Sequence, residues 1–222
     1  MAQNVKEQKQ TGYAAVTVTV DQGNLTGDQF RGLAKLASTA GDALLRTAIN
    51  QNVVLGFIPL ARLPQVYQAL RELGLGGGGA GQIEDVLTCP GAYTCNLGIT
   101  KTMNLGAALQ QTVRQYDDPE VRRLTIKASG CPNACGHHWI ADFGFYGNAR
   151  KIDGRELPYY QMLLGGGYDE QGIMRFGLAI QAVPARLAPV AVERVIAHFQ
   201  ANRLPGERFR DYVLRYKVET FR

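Results

Sequence analysis

Four cysteines stand in two close pairs, Cys89-Pro-Gly-Ala-Tyr-Thr-Cys95 and Cys131-Pro-Asn-Ala-Cys135, so that a C-x5-C spacing is followed, after 35 intervening residues, by C-x3-C. Four thiolates are the right number to hold a 4Fe-4S cube, one per iron. Zinc knuckles draw on C-x2-C to C-x4-C spacings, and bacterial ferredoxins pack their cysteines into one run, so neither alternative matches both pairs. A zinc reading stays open because His137 and His138 follow the second pair, and buried structural cysteines are the remaining option. Pro90, Gly91, Gly130, Pro132 and Gly136 force tight turns around the thiols. Such turns aim successive backbone N–H groups at one point, where they can donate to cluster sulfur and raise its reduction potential.

The elements that must position these turns follow from residue patterning. Residues 13–20 alternate Ala and Val with Thr, the period of a strand. Thr26 and Gln29 form a capping box ahead of Phe30, Leu33, Leu36 and Ala37, a helix ending at Gly41. Two strands at 43–49 and 53–58 meet at Asn50-Gln51-Asn52, and Pro64 opens a second helix with Val66, Leu70 and Leu73 inward. The order β-α-β-β-α is most of a ferredoxin-like unit. The glycine run 74–81 breaks the composition and marks a boundary. Its G-x-G-x-x-G follows a helix where a nucleotide loop would follow a strand, so it reads as a linker. Beyond the first cysteine pair a helix carries Leu105, Ala108, Leu109, Val113 and Tyr116. Strands are expected at 124–128, 140–145, 159–164 and 174–182, a helix from Pro189, and a last amphipathic segment with Phe209, Val213 and Tyr216 on one side. The fold class is therefore α+β, a ferredoxin-like half-domain followed by a mixed α/β domain. The expected divisions are a polar tail at 1–12, the half-domain at 13–80 and the cysteine domain at 81–222.

Composition narrows the function. The chain has 222 residues, 45% of them hydrophobic, and a formal charge of +5 without a long basic run. That charge fits a solvated surface or a basic channel for anions better than nucleic acid. No apolar stretch approaches the roughly 20 residues a membrane helix needs, and the polar N-terminus lacks the apolar centre of a signal peptide. The expected location is cytoplasmic, with no membrane partner.

Thr88-Cys89-Pro90-Gly91 with Cys95, then residues 128–136 (Ala-Ser-Gly-Cys-Pro-Asn-Ala-Cys-Gly), then residues 140–147 (Ile-Ala-Asp-Phe-Gly-Phe-Tyr-Gly), resemble the sirohaem-dependent sulfite and nitrite reductases. Arg46 with Asn50, Gln51 and Asn52 resembles the R...NQN segment of the ferredoxin-like half-domain in that family, and the likeness runs from residue 13 to residue 222. The resemblance implies that Cys89, Cys95, Cys131 and Cys135 ligate a 4Fe-4S cluster. It also implies that Cys135 bridges to sirohaem iron and that Asn133 helps seat the macrocycle, while Arg46 pairs with cofactor carboxylates or ties its strand to a neighbour. The activity implied is the six-electron reduction of sulfite to sulfide or nitrite to ammonia, with ferredoxin or a flavoprotein as electron donor. Complete members are pseudo-twofold, and the Arg and Lys residues that bind substrate come largely from an N-terminal half absent here. No catalytic residue is therefore assigned, and a missing half or a second copy is the expected complement. The rival functions are an iron-sulfur electron carrier without sirohaem and a zinc-stabilised binding module.

Overall fold

A computed structural model describes residues 2–169 and 171–221, which divide into two units after Gly81. In the first, β1 (Val5–Glu7), β2 (Tyr13–Val18), α1 (Gly27–Ala40), β3 (Leu45–Thr47), β4 (Val53–Pro59) and α2 (Leu63–Glu72) follow in order. The four strands form an antiparallel sheet in the order β1-β2-β4-β3. Alternation on β2 buries Ala14, Val16 and Val18, and the two valines pack with Leu55 and Ile58 of β4 against Leu33 and Ala37 of α1 and Val66 and Leu70 of α2. The capping box of α1 is formed as expected: the Thr26 hydroxyl accepts from Gln29 N at 3.2 Å, and the Gln29 side chain accepts from Thr26 N at 2.9 Å.

The polar tail expected over 1–12 requires correction. Val5 pairs with Val16 in β1, and the buried Asn4 side chain donates to Thr17 O at 2.8 Å. Three residues with Lys6 and Glu7 exposed carry no readable period, so an edge strand of this kind escapes pattern analysis. The glycine run is likewise fastened to the first unit: Leu75 is buried in its core, Thr19 Oγ1 donates to Gly77 O, and Ala80 N donates to Asn4 Oδ1.

The second unit contains β5 (Leu87–Thr88), α3 (Thr102–Val113), α4 (Pro119–Arg122), β6 (Ile126–Ser129), β7 (Phe143–Ile152), β8 (Arg155–Leu164), β9 (Gly167–Tyr168), β10 (Met174–Arg175), β11 (Leu178–Pro184), α5 (Ala188–Asn202) and α6 (Phe209–Tyr216). Its main sheet runs β11-β8-β7-β6-β5, with β5, β6 and β7 parallel and the other pairs antiparallel, while β9 and β10 form a separate ribbon. Phe143, Phe145, Tyr160, Met162 and Leu164 pack against Leu105 and Leu109 of α3, Val192, Ile196 and Phe199 of α5, and Tyr212 and Val213 of α6. Among the described residues no helix is long and apolar enough to cross a membrane.

Two strand expectations differ from what is found. The segment expected as a strand from 140 begins as a 3-10 turn, His138–Ile140, and the strand proper starts at Phe143. The strand expected over 174–182 breaks at Gly177, whose N–H donates to Trp139 O at 2.8 Å. The same segment explains the glycines after β8. Gly165 N donates to Asp142 O and Gly166 N to Ala141 O, both at 2.9 Å, and a Cβ on Gly166 would stand 2.4 Å from Trp139 O. What approaches this backbone is the chain at 139–142.

Candidate cluster site

Parallel pairing brings the two cysteine loops together. Thr88 of β5 is in register with Ala128 of β6, so the turns that leave the two strands start side by side. Cys89 N donates to Ala128 O at 3.1 Å, and Gly130 N donates to Cys89 Sγ at 3.1 Å. Gly130 O accepts in return from Ile99 N at 2.8 Å and Thr100 N at 3.1 Å. Gly130 thus ties the first loop to the second from both of its backbone polar groups. The 3-10 turn Gly91–Tyr93 ends with Cys95 N donating to Gly91 O at 3.0 Å.

The second loop is held from below. Ser129 Oγ accepts from Gly136 N at 2.9 Å and lies 2.8 Å from His138 Nδ1. Ala134 and His137 both adopt positive φ, 59° and 54°, which curls the chain around Cys135. Cys89 is buried, Cys131 partly so, and Cys95 and Cys135 are exposed; all four are free thiols. Among the described residues, no three His, Cys, Asp or Glu side chains converge as ligands of one ion. His138 is fully buried, with its ring tilted against Trp139 and Tyr146 at 5.3 and 5.0 Å, and burial lowers its pKa to about 4. The donor chemistry and the N–H already aimed at Cys89 Sγ fit an iron-sulfur cluster.

Asn133 and Arg46, the other expected site residues, and Lys101, Lys127 and Trp139, close in sequence to the cysteine pairs, are placed as follows. Asn133 is exposed on the turn between Cys131 and Cys135. Arg46, in the first unit, forms a two-pronged pair with Asp42, at 3.1 and 2.5 Å, and the Arg46 hydrogen bonds hold the Asp42 carboxyl below its usual range. The pair is local, between β3 and the turn that precedes it. Lys101 is exposed. Lys127 borders a cleft of about 570 Å³ with Arg123, Arg208 and Arg210, and burial lowers its pKa against the raising charge of Asp142. Trp139 lies among rings, 6.0 Å from Tyr146 and 5.8 Å from Phe176.

Residues to which the sequence assigned no role complete the site. Thr100, Thr102 and Tyr160 are buried behind Cys89; burial raises the Tyr160 pKa, and the neighbouring threonine side chains act against that rise. Asp142 accepts from Thr125 N at 2.8 Å and Thr125 Oγ1 at 2.9 Å, clamping the entries of β6 and β7 together. Burial pushes the Asp142 carboxyl up to about 6, outweighing the Thr125 hydrogen bonds and the Arg208 charge. The folded state therefore holds this proton more tightly than the unfolded chain, whose aspartates titrate near 4. The contribution of Asp142 to stability is complete below pH ~4 and is lost as pH rises through about 6. Asp142→Asn, which mimics the protonated form, is expected to gain stability over wild type across that window, by on the order of 2 kcal/mol at its upper end. Urea unfolding of both proteins from pH 4 to 7 checks this, and a difference that does not change with pH refutes it.

Residues 6–73 match the family described as nitrite/sulfite reductase ferredoxin-like half domain, and residues 79–222 match the nitrite and sulphite reductase 4Fe-4S domain. The chain belongs to the nitrite and sulfite reductase family. It is 32% identical over 205 residues to ferredoxin–nitrite reductase of Synechococcus elongatus, covering 89% of this chain and 39% of that protein. It is 28% identical over 222 residues to sulfite reductase [ferredoxin] of Mycobacterium tuberculosis, covering 95% and 39%. Among solved structures, the Mycobacterium tuberculosis NirA protein superposes with a TM-score of 0.82 at 27% identity, over 99% of this chain and 41% of that one. Dissimilatory sulfite reductase I shares the fold, with a TM-score of 0.70 at 12% identity over 94% of this chain and 68% of that one. The fold is thus α+β, a ferredoxin-like half-domain followed by a 4Fe-4S domain. The chain spans about two fifths of the length of these two reductases and of NirA.

Proposed function

We propose that this chain is the cofactor-bearing part of a reductase that takes sulfite to sulfide or nitrite to ammonia. The observation that carries this reading is the joining of the two cysteine loops at the ends of parallel β5 and β6, with Gly130 N–H directed at Cys89 Sγ. Cys89, Cys95, Cys131 and Cys135 would hold the 4Fe-4S cluster, Cys135 would also reach the sirohaem iron, and Asn133 beside it would steady the macrocycle. Cluster and sirohaem together supply one-electron steps to a small oxyanion. The chain's own part is to fix four thiolates on turns whose backbone donors favour added negative charge. Exposure of Cys95 and Cys135 leaves that side of the site open to a macrocycle and to a donor such as ferredoxin or a flavoprotein. The basic side chains that grip the substrate are assigned to polypeptide beyond these residues, either more of a longer chain or a second copy. A cytoplasmic setting belongs to this reading, because cluster thiolates must stay reduced.

Anaerobic reconstitution of the full chain with ferrous iron and sulfide, followed by titration with sirohaem, tests the proposal. The expected result is about four iron and four sulfide per chain and, on adding sirohaem, a Soret band that shifts on binding. A cluster that leaves the sirohaem spectrum unchanged reduces the chain to an electron carrier. Zinc taken up in preference to a cluster overturns the reading.

A further inference from the structure

Behind Cys89 three glycines make room for two threonine hydroxyls. A Cβ on Gly91 would stand 2.3 Å from Thr102 Oγ1, one on Gly130 would stand 2.9 Å from the same atom, and one on Gly147 would stand 2.4 Å from Thr100 Oγ1. Both hydroxyls are buried, and the buried Tyr160 phenol lies beside both threonine side chains. Thr102 Oγ1 has one proton and two acceptors in range, Thr100 O at 3.4 Å and Cys89 Sγ at 3.9 Å. Thr100 O already accepts from Ala92 N at 2.9 Å, so it stays satisfied if the Thr102 proton turns away. A free thiol is a weak acceptor, but a thiolate ligand carries charge and attracts the proton strongly. The Tyr160 phenol can donate as well as accept, and when it donates to the Thr102 oxygen it leaves the proton of that hydroxyl for the sulfur.

We propose that Thr102 and Tyr160 are positioning residues that raise the reduction potential of the cluster by feeding a second hydrogen bond, beside that of Gly130 N–H, to the Cys89 thiolate. The inference rests on the assignment of Cys89 as a cluster ligand. Hydrogen bonds to ligand sulfur stabilise the more negative, reduced cluster, so losing one moves the midpoint to more negative values. Cys95 and Cys135 are exposed on their turns, whereas Cys89 is buried and takes a hydrogen bond from Gly130 N.

Anaerobic reconstitution of wild type, Thr102→Val, Thr102→Ser and Tyr160→Phe, with potentiometric titration followed by electron paramagnetic resonance, provides the test. Thr102→Val keeps the shape and removes the hydroxyl, so its midpoint is expected below that of wild type. Thr102→Ser restores the wild-type value, and Tyr160→Phe shifts in the same direction as Thr102→Val by a smaller amount. Circular dichroism and iron content confirm that each variant is folded and loaded. Should Thr102→Val fail to fold, Tyr160→Phe against wild type decides the matter, since it removes a single oxygen. A wild-type chain that binds no cluster overturns the cysteine assignment and this inference with it. A loaded series with one common midpoint, or with shifts to higher potential, overturns this inference alone.

Discussion

Cys135→Ala is expected to abolish cluster assembly while leaving the stability of the cofactor-free chain within about 0.5 kcal/mol of wild type, the usual range for an exposed substitution. Cys135 sits exposed on its turn, so its loss exposes no apolar surface. Cys89→Ala removes a cluster ligand too, but its sulfur is buried and accepts the Gly130 N–H. Its loss leaves a buried donor without an acceptor as well as a small void, a combined cost of about 2 kcal/mol in the cofactor-free protein. Iron content after reconstitution and urea unfolding of the cofactor-free proteins separate the two effects. Equal stability losses would mean that Cys89 is not built into the fold as described; normal iron content in either variant would remove that residue from the ligand set.

The site was legible in its parts and not in its assembly. Cysteine number and spacing pointed to a cluster, and the turn-forming glycines and prolines pointed to backbone donors; the Gly130 N–H on Cys89 is one such donor. The register that joins the loops was not legible, because β5 has only two residues and no period shows in two. Thr100 and Thr102 escaped notice for a different reason. Before a helix they read as ordinary turn and cap residues, and their partner Tyr160 is 58 residues further on from Thr102, across the sheet. The longer elements were readable wherever local signals agreed with the fold, as at the Thr26 and Gln29 capping box or the alternation along β2. The edge strand β1 and the break at Gly177 were not, since each depends on a distant segment, Tyr13–Val18 for one and Trp139 for the other.

Gly130→Ala is expected to cost about 3 kcal/mol and to prevent cluster assembly, although it removes no thiol. A Cβ at this position would stand 2.5 Å from Gly91 Cα and 3.0 Å from Thr100 O, backbone atoms of the first cysteine loop. The second loop cannot yield, because Ser129 just before it is held in register with Tyr146 of β7. The first loop must therefore retreat, and its retreat stretches three hydrogen bonds at once: Gly130 N to Cys89 Sγ, and Ile99 N and Thr100 N to Gly130 O. Cys89 and Cys95 then move as a pair away from Cys131 and Cys135, which is fatal to a cluster that needs all four at fixed spacing. Gly154→Ala, in the turn between β7 and β8, is the matched control. Gly154 has φ of +77° with no neighbour within 4 Å of a new Cβ, so alanine there bears only backbone strain of about 1 kcal/mol. Urea unfolding is expected to rank the two variants in that order, with full iron content only in Gly154→Ala. If Gly130→Ala assembles a cluster as readily as the control, the two loops do not meet at Gly130, and the arrangement of thiolates argued from that contact falls with it.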